Sequence, residues 1–315
     1  VGFFFSVSYC KATIGCVPGR NAVSPPELAR YAPRFDMTHP LEVGLGPILG
    51  DEFRAAVQHR VDRFLRELFR VDIPLVRQPR LDDDVRAVAM RHLVRVRLDL
   101  VEDMIENLGS LLDRFGMIPN ASRTYYLGRS HPPVFYLMAA MSQKQRTEDR
   151  QRRLDWMLKE YVFWMDGAQN LMPGSEARHA VRLRDGALLN RYWDDYPYPR
   201  DESWAEDVNL ASNVPEHARP ALWRDLRAAA ESGWDFSSRW FADNASLETI
   251  RTTRLLPIDL NGFLYGLEQA IANESGKLGL SGQAELFAKR ADARLSAIQE
   301  HFWNEEVGSF ADYDL

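Results

Sequence analysis

At 315 residues, 45% of them hydrophobic, the chain is long enough for one large core, or for one domain with an appendage. A formal net charge of -6 argues against nucleic-acid and anionic-membrane partners and leaves a neutral small molecule as the better fit. Cys10, Cys16 and the seven histidines fall at no metal-ligand spacing, and no apolar run reaches membrane-spanning length, so neither a metal nor a membrane span is expected.

In chain order, the chain opens on Val1, and Val1 to Val7 is apolar but too short for a signal peptide, which reads as a fragment or a processed chain. Residues 1–50 carry turn formers at Pro18-Gly19, Pro25-Pro26 and Pro40 and are expected to be loop-rich. The glycines between Gly44 and Gly50 have the wrong spacing for a phosphate-cradling loop. Between Glu52 and Phe69, the residues Phe53, Val57, Val61, Phe64, Leu65 and Leu68 recur at helical spacing and predict an amphipathic helix. Residues 76–97 sustain neither period, and Arg91, His92, Arg95 and Arg97 read as a solvated face.

From residue 98 the pattern sharpens. Val101, Met104, Ile105, Leu108, Leu111, Leu112 and Phe115 predict one face of a helix that Gly116 ends. A loop from Ile118 to Pro133 follows, rich in aromatic and planar hydrogen-bonding groups. Helices are predicted over 134–141 and 152–165, then a second polar and aromatic loop runs from Leu188 to Asp195 and on to Trp204. A helix over 219–230 leads into Glu231 to Trp240. Leu260, Phe263, Leu264, Leu267 and Ile271 mark another, and Ser281 is expected to cap a last long helix reaching Phe302.

Within 231–240, Asp235 stands among Trp234, Phe236, Arg239 and Trp240. Apolar company favours the neutral form of a carboxyl group, which makes Asp235 a candidate general acid; the competing reading is that it caps a helix while the aromatics are core. The three loops together offer Asn120, Arg129, His131, Arg200, Glu202 and Asp235 beside Trp193, Trp204 and Trp234. Such groups suit a polyhydroxylated ring, although the arginines also suit a salt-bridged scaffold and the tryptophans a core.

Several stretches carry a family resemblance. Ile118-Pro119-Asn120, Tyr125 to Pro133, Leu189-Asn190-Arg191-Tyr192-Trp193-Asp194-Asp195, Glu202-Ser203-Trp204-Ala205-Glu206-Asp207 and Ser232 to Trp240 resemble, in order, the motifs of α,α-trehalases. Arg200-Asp201-Glu202 and Arg178 to Arg182 resemble the bacterial cytoplasmic type, which points to cytoplasm, with periplasm the alternative. The resemblance implies an all-α fold, an (α/α)6 toroid present in part over 98–315, with 1–97 unassigned. It implies hydrolysis of trehalose to two glucoses with inversion and without a cofactor. Asp235 falls on the general acid, and Asn120, Arg129, Ser130, Arg200, Asp201, Glu202 and Gly233 on substrate contacts. His131 stands where a glutamine is usual. The family's first signature is absent, so residues 1–97 are read as divergent or frame-altered, and the general base is expected beyond Leu315. Little activity is therefore expected of this chain, the alternative being a non-catalytic sugar-binding remnant.

Overall fold

The structure is a computed structural model that describes residues 83–315. The predicted helix at Glu52–Phe69, the glycines at 44–50 and the loop-rich start lie outside the described residues, as do the side chains of Arg91, His92, Arg95 and Arg97. Residues 91–315 belong to one compact unit, which holds every candidate site residue.

The described residues are mostly helical, and their strands are only two or three residues long. Helix α1 runs Asp83–Phe115, starting well before residue 98. The approach to residue 98 was obscured because Val94-Arg95-Val96-Arg97 alternates with the period of a strand. Of the predicted apolar face, Ile105 and Leu112 are buried, whereas Met104 and Phe115 are exposed at its edges. Gly116 ends the helix at φ 72°, a left-handed conformation that side chains with a Cβ disfavour.

Helix α2 is Phe135–Ala139 and α3 is Thr147–Trp164, which starts earlier than predicted because Glu148 and Asp149 favour a helix N-terminus. Leu154, Met157 and Tyr161 point into the core. A small antiparallel sheet follows, of strands β1 (Ser175–Ala177), β2 (Ala180–Arg182) and β3 (Leu188–Asn190) in that order. It takes up the start of the second predicted loop.

The two-turn helix α4 (Trp204–Ala211) leaves most of its surface to solvent and has no long apolar stripe for periodicity to detect. Helix α5 (Arg219–Ser232) begins with proline in its first turn, where a missing N–H costs nothing, and ends at Gly233 with φ 73°. Strand β4 (Leu255–Leu256) precedes α6 (Ile258–Lys277) and α7 (Ser281–His301), two long helices joined by Leu278–Leu280. Leu260, Leu264, Leu267 and Ile271 of α6 are wholly buried, as their spacing predicts. Ser281 is helical and makes no side-chain cap; the turn is closed by Leu280 N–H donating to the Ser275 carbonyl (2.9 Å). Strands β5 (Trp303–Asn304) and β6 (Ser309–Phe310) form a hairpin, and β7 (Tyr313–Asp314) pairs antiparallel with β4.

Most of the core is one cluster spanning α1, α2, α3, α5, α6 and α7, with Trp156, Trp164 and Trp240 among its largest members. Trp234 and Phe236 of the loop after α5 pack against it.

Candidate functional site

The first loop folds back on itself. Pro119 bridges Ser130, Asn120 N–H donates to the Arg129 carbonyl (3.0 Å), and His131 N–H donates to Ile118 (2.7 Å). This pairing places Asn120, Arg129, Ser130 and His131 side by side. The Asn120 amide donates to the carbonyl of Ala230 (3.2 Å), tying the loop to the end of α5. Burial holds the His131 pKa below the ordinary histidine value, so the ring is neutral at neutral pH and acts as a hydrogen-bonding group rather than a cation.

Arg129 is wholly buried and pairs with Glu202 of the second loop. Its Nε and second terminal nitrogen have no hydrogen-bond partner among the described residues, and its guanidinium lies 5.2 Å from the Tyr126 ring. Buried donors normally find acceptors, and leaving them open is costly unless something else completes them.

Arg200 is also buried, but its donors are largely committed. Nε and one terminal nitrogen grip Asp207 at 2.9 and 2.6 Å, and the Arg200 N–H donates to the same carboxylate at 2.8 Å. The guanidinium stacks over Phe236, 4.7 Å away, beside Asp235. Arg200 therefore serves the scaffold through Asp207 while its charge also bears on Asp235. Asp201 is exposed and lies 3.8 Å from Arg227.

The third loop begins at Gly233, whose left-handed turn swings the chain off α5, and Trp234 N–H then donates to the Ser232 hydroxyl (3.0 Å). Asp235 reaches solvent at the loop surface while protein atoms crowd it on the other sides. Desolvation raises its pKa, opposed by its own backbone N–H and by the Arg200 and Arg129 charges, with Glu202 raising it further. Asp235 is thus the point at which all three loops converge electrostatically. It does not cap the turn that follows; the Ser237 hydroxyl does, accepting from Arg239 N–H. The aromatics do pack with the core, Trp240 wholly buried and Trp234 and Phe236 partly so.

Arg239 clamps this loop from behind. It grips Asp312 through Nε (2.9 Å) and a terminal nitrogen (2.6 Å), reaches Asp259 at 3.3 Å, and lies 4.4 Å from the Trp240 ring and 5.2 Å from the Trp234 ring. Trp193 is likewise taken by guanidinium groups, with Arg191 at 4.4 Å and Arg224 at 4.7 Å from its ring. Of the three tryptophans offered as stacking faces, Trp204 is 52% exposed and has none of these cation contacts.

Two buried residues with structural roles had no role from sequence reasoning, Glu231 and His179. Each lies within a recognisable motif, but their partners are 38 to 101 residues distant in sequence, where spacing gives no signal. The same applies to Asp185, Glu300 and His301, whose ligand-type atoms lie within 4.8 Å of one another although histidine spacing alone showed no such group. This cluster is largely exposed and shares no residue with the three loops.

The trehalase family model matches residues 90–315, beginning ahead of Leu98. Among solved structures, a neutral trehalase from Saccharomyces cerevisiae is similar in fold, with a TM-score of 0.55 and 22% identity over 70% of this chain. The match covers 44% of that protein, so this chain corresponds to less than half of it. Among the described residues, no helix is long and apolar enough to cross a membrane.

Proposed function

Because the chain belongs to the trehalase family, we propose that its three converging loops bind α,α-trehalose and that Asp235 is the general acid of an inverting hydrolysis. The observation that carries this reading is Arg129, a wholly buried guanidinium whose charge acts on Asp235 and two of whose donor nitrogens have no acceptor among the described residues. Sugar hydroxyls are acceptors of the right kind to complete it, and the neutral substrate adds no charge that the site must balance. Asn120, Ser130, His131, Arg200, Asp201, Glu202 and Gly233 complete the proposed contact set. The (α/α)6 toroid is the architecture in which these loops would gather at one end.

In the proposed reaction, Asp235 gives its proton to the bridging oxygen as the bond to the anomeric carbon breaks. Water attacks from the opposite face and loses its proton to a carboxylate base, which in inverting enzymes stands about 6.5–9.5 Å from the acid. Glu202 is paired with Arg129 and serves better as its orienting partner than as that base. A purely sugar-binding role is the second reading that this pairing favours. The cytoplasm is the proposed compartment, from the motif variants at Arg200-Asp201-Glu202.

Isothermal titration with trehalose and a glucose-release assay test both readings. Saturable binding is expected, with any glucose release falling by about 10²- to 10⁴-fold in Asp235→Asn. Absence of trehalose binding by the wild-type chain would sink the proposal, and binding with no release that Asp235→Asn can reduce would favour the second reading.

A further inference from the structure

The end of α5 contains a carboxylate to which the reaction assigns no role. Glu231 is wholly buried and lies four residues before Asp235. One oxygen accepts from Ser130 N–H of the first loop (2.8 Å), and the other accepts from Trp193 N–H of the second (2.9 Å). His179 Nε2, from the turn between β1 and β2, donates to the pair at 3.0 and 3.1 Å. The His179 ring is held edge-on by Trp164 at 4.7 Å and tilted against Phe163 at 4.9 Å. Next to Glu231, the Ala230 carbonyl accepts from the Asn120 amide.

We propose that Glu231, oriented by His179, is the positioning residue that sets the distance from Asp235 to Arg129 and Asn120. This rests on the trehalose-binding reading for its ligand, but not for its geometry. A carboxylate is required because all its partners are donors. Two backbone N–H groups approach different oxygens, so an amide in its place would turn an NH2 group toward one of them. Reach is required as well, because an aspartate is one methylene shorter and cannot span both loops from the same backbone position. Loosening either loop moves Arg129 or the second-loop aromatics relative to the acid, and small displacements of binding groups are costly in a site built for one geometry.

The test uses the full 315-residue chain with Glu231→Gln, which removes the charge, and Glu231→Asp, which keeps the charge but shortens the reach. Glu268→Gln is the control, an equally buried carboxylate paired with Arg294 at 3.0 Å in the α6–α7 pair. At a temperature where circular dichroism shows all of them folded, both Glu231 variants are expected to bind trehalose about tenfold more weakly, the loss of one charge-assisted bond. Glu268→Gln should lower the unfolding midpoint and leave affinity within about twofold. Affinity within twofold of wild type for both Glu231 variants would overturn the proposal, as would an equal loss in Glu268→Gln.

A sugar-free measurement separates this idea from the functional reading. Carbon-13 NMR titration of Asp235 should show its pKa falling toward the ordinary aspartate value in both Glu231 variants, as the loosened loop admits water. If wild type fails to bind trehalose and this shift occurs, the substrate assignment is wrong and the positioning role stands. If wild type binds and neither affinity nor titration changes, the positioning role is wrong. Should the Glu231 variants not fold, His179→Phe keeps the ring packing and removes one donor; about a threefold loss of affinity is expected, and none would count against the proposal.

Discussion

The α6–α7 pair and the three loops solve the problem of buried polar groups in opposite ways. Between the helices, Arg294 is fully used, gripping Glu268 twice at 3.0 Å and donating to the side-chain oxygens of Asn190 (3.0 Å) and Asn261 (3.1 Å). Among the loops, Arg129 is just as deeply buried, yet two of its donor nitrogens face no acceptor among the described residues. A closed polar cluster specifies how helices pack, whereas an open one costs stability until a ligand completes it.

The strongest way to sharpen that contrast is to damage the helical pair. Leu264→Ala, in the wholly buried seam, should destabilise the chain by about 2–5 kcal/mol in urea denaturation and leave the trehalose affinity of folded protein unchanged. A large affinity loss would mean the two regions are not separable. Next in size, Arg129→Met removes the charge and the open donors, and should weaken trehalose binding by about 1.5–3 kcal/mol in a calorimetric titration. Its effect on stability should be small or even favourable, since it also removes unsatisfied groups; strong destabilisation without loss of affinity would reverse the assignment.

Glu160 in α3 tests the same logic through pH. Burial pushes its pKa up to about 8, with the Phe135 backbone N–H opposing. The folded chain therefore keeps a proton that the unfolded chain, titrating near 4.5, gives up. Stability from this group is complete below about pH 4.5 and is lost as pH rises toward 8. Glu160→Gln should flatten the decline of the urea midpoint between pH 5 and 8, and an unchanged slope would refute the buried-acid account. The smallest effect is expected at Trp204. Because its ring is half exposed, Trp204→Ala should change stability by less than about 0.5 kcal/mol, so any affinity loss above about threefold would identify a direct sugar contact.

Legibility in the sequence followed the range of the interactions involved. The α6 seam could be read because Leu260, Leu264, Leu267 and Ile271 lie on one face of one element. Gly116 could be read because a left-handed helix end is a local demand. The early turns of α1 and the short, exposed α4 escaped because neither offers a sustained helical stripe. At the site, the ordered motifs pointed to Asn120, Arg129, Ser130, Arg200, Glu202 and Asp235, and the structure brings Arg129, Arg200 and Glu202 into the electrostatic surroundings of Asp235. What periodicity could not supply was the hidden support. Asp207 under Arg200 and Glu231 between two loops act across folds of the chain, and only the assembled backbone reveals them.

The Arg239 clamp also gives the acid loop a timetable. Its carboxylate partner Asp312 is encoded 73 residues later. At about 5–20 residues per second, a ribosome needs roughly 4–15 s to travel from one to the other. During that interval α5 and its glycine turn are already synthesised, and among the described residues outside its own loop Arg239 has Asp259 as its carboxylate partner. The loop that carries Asp235 thus gains this second carboxylate anchor well after its own synthesis, and a pause in translation between these two codons would prolong the time it spends half-secured.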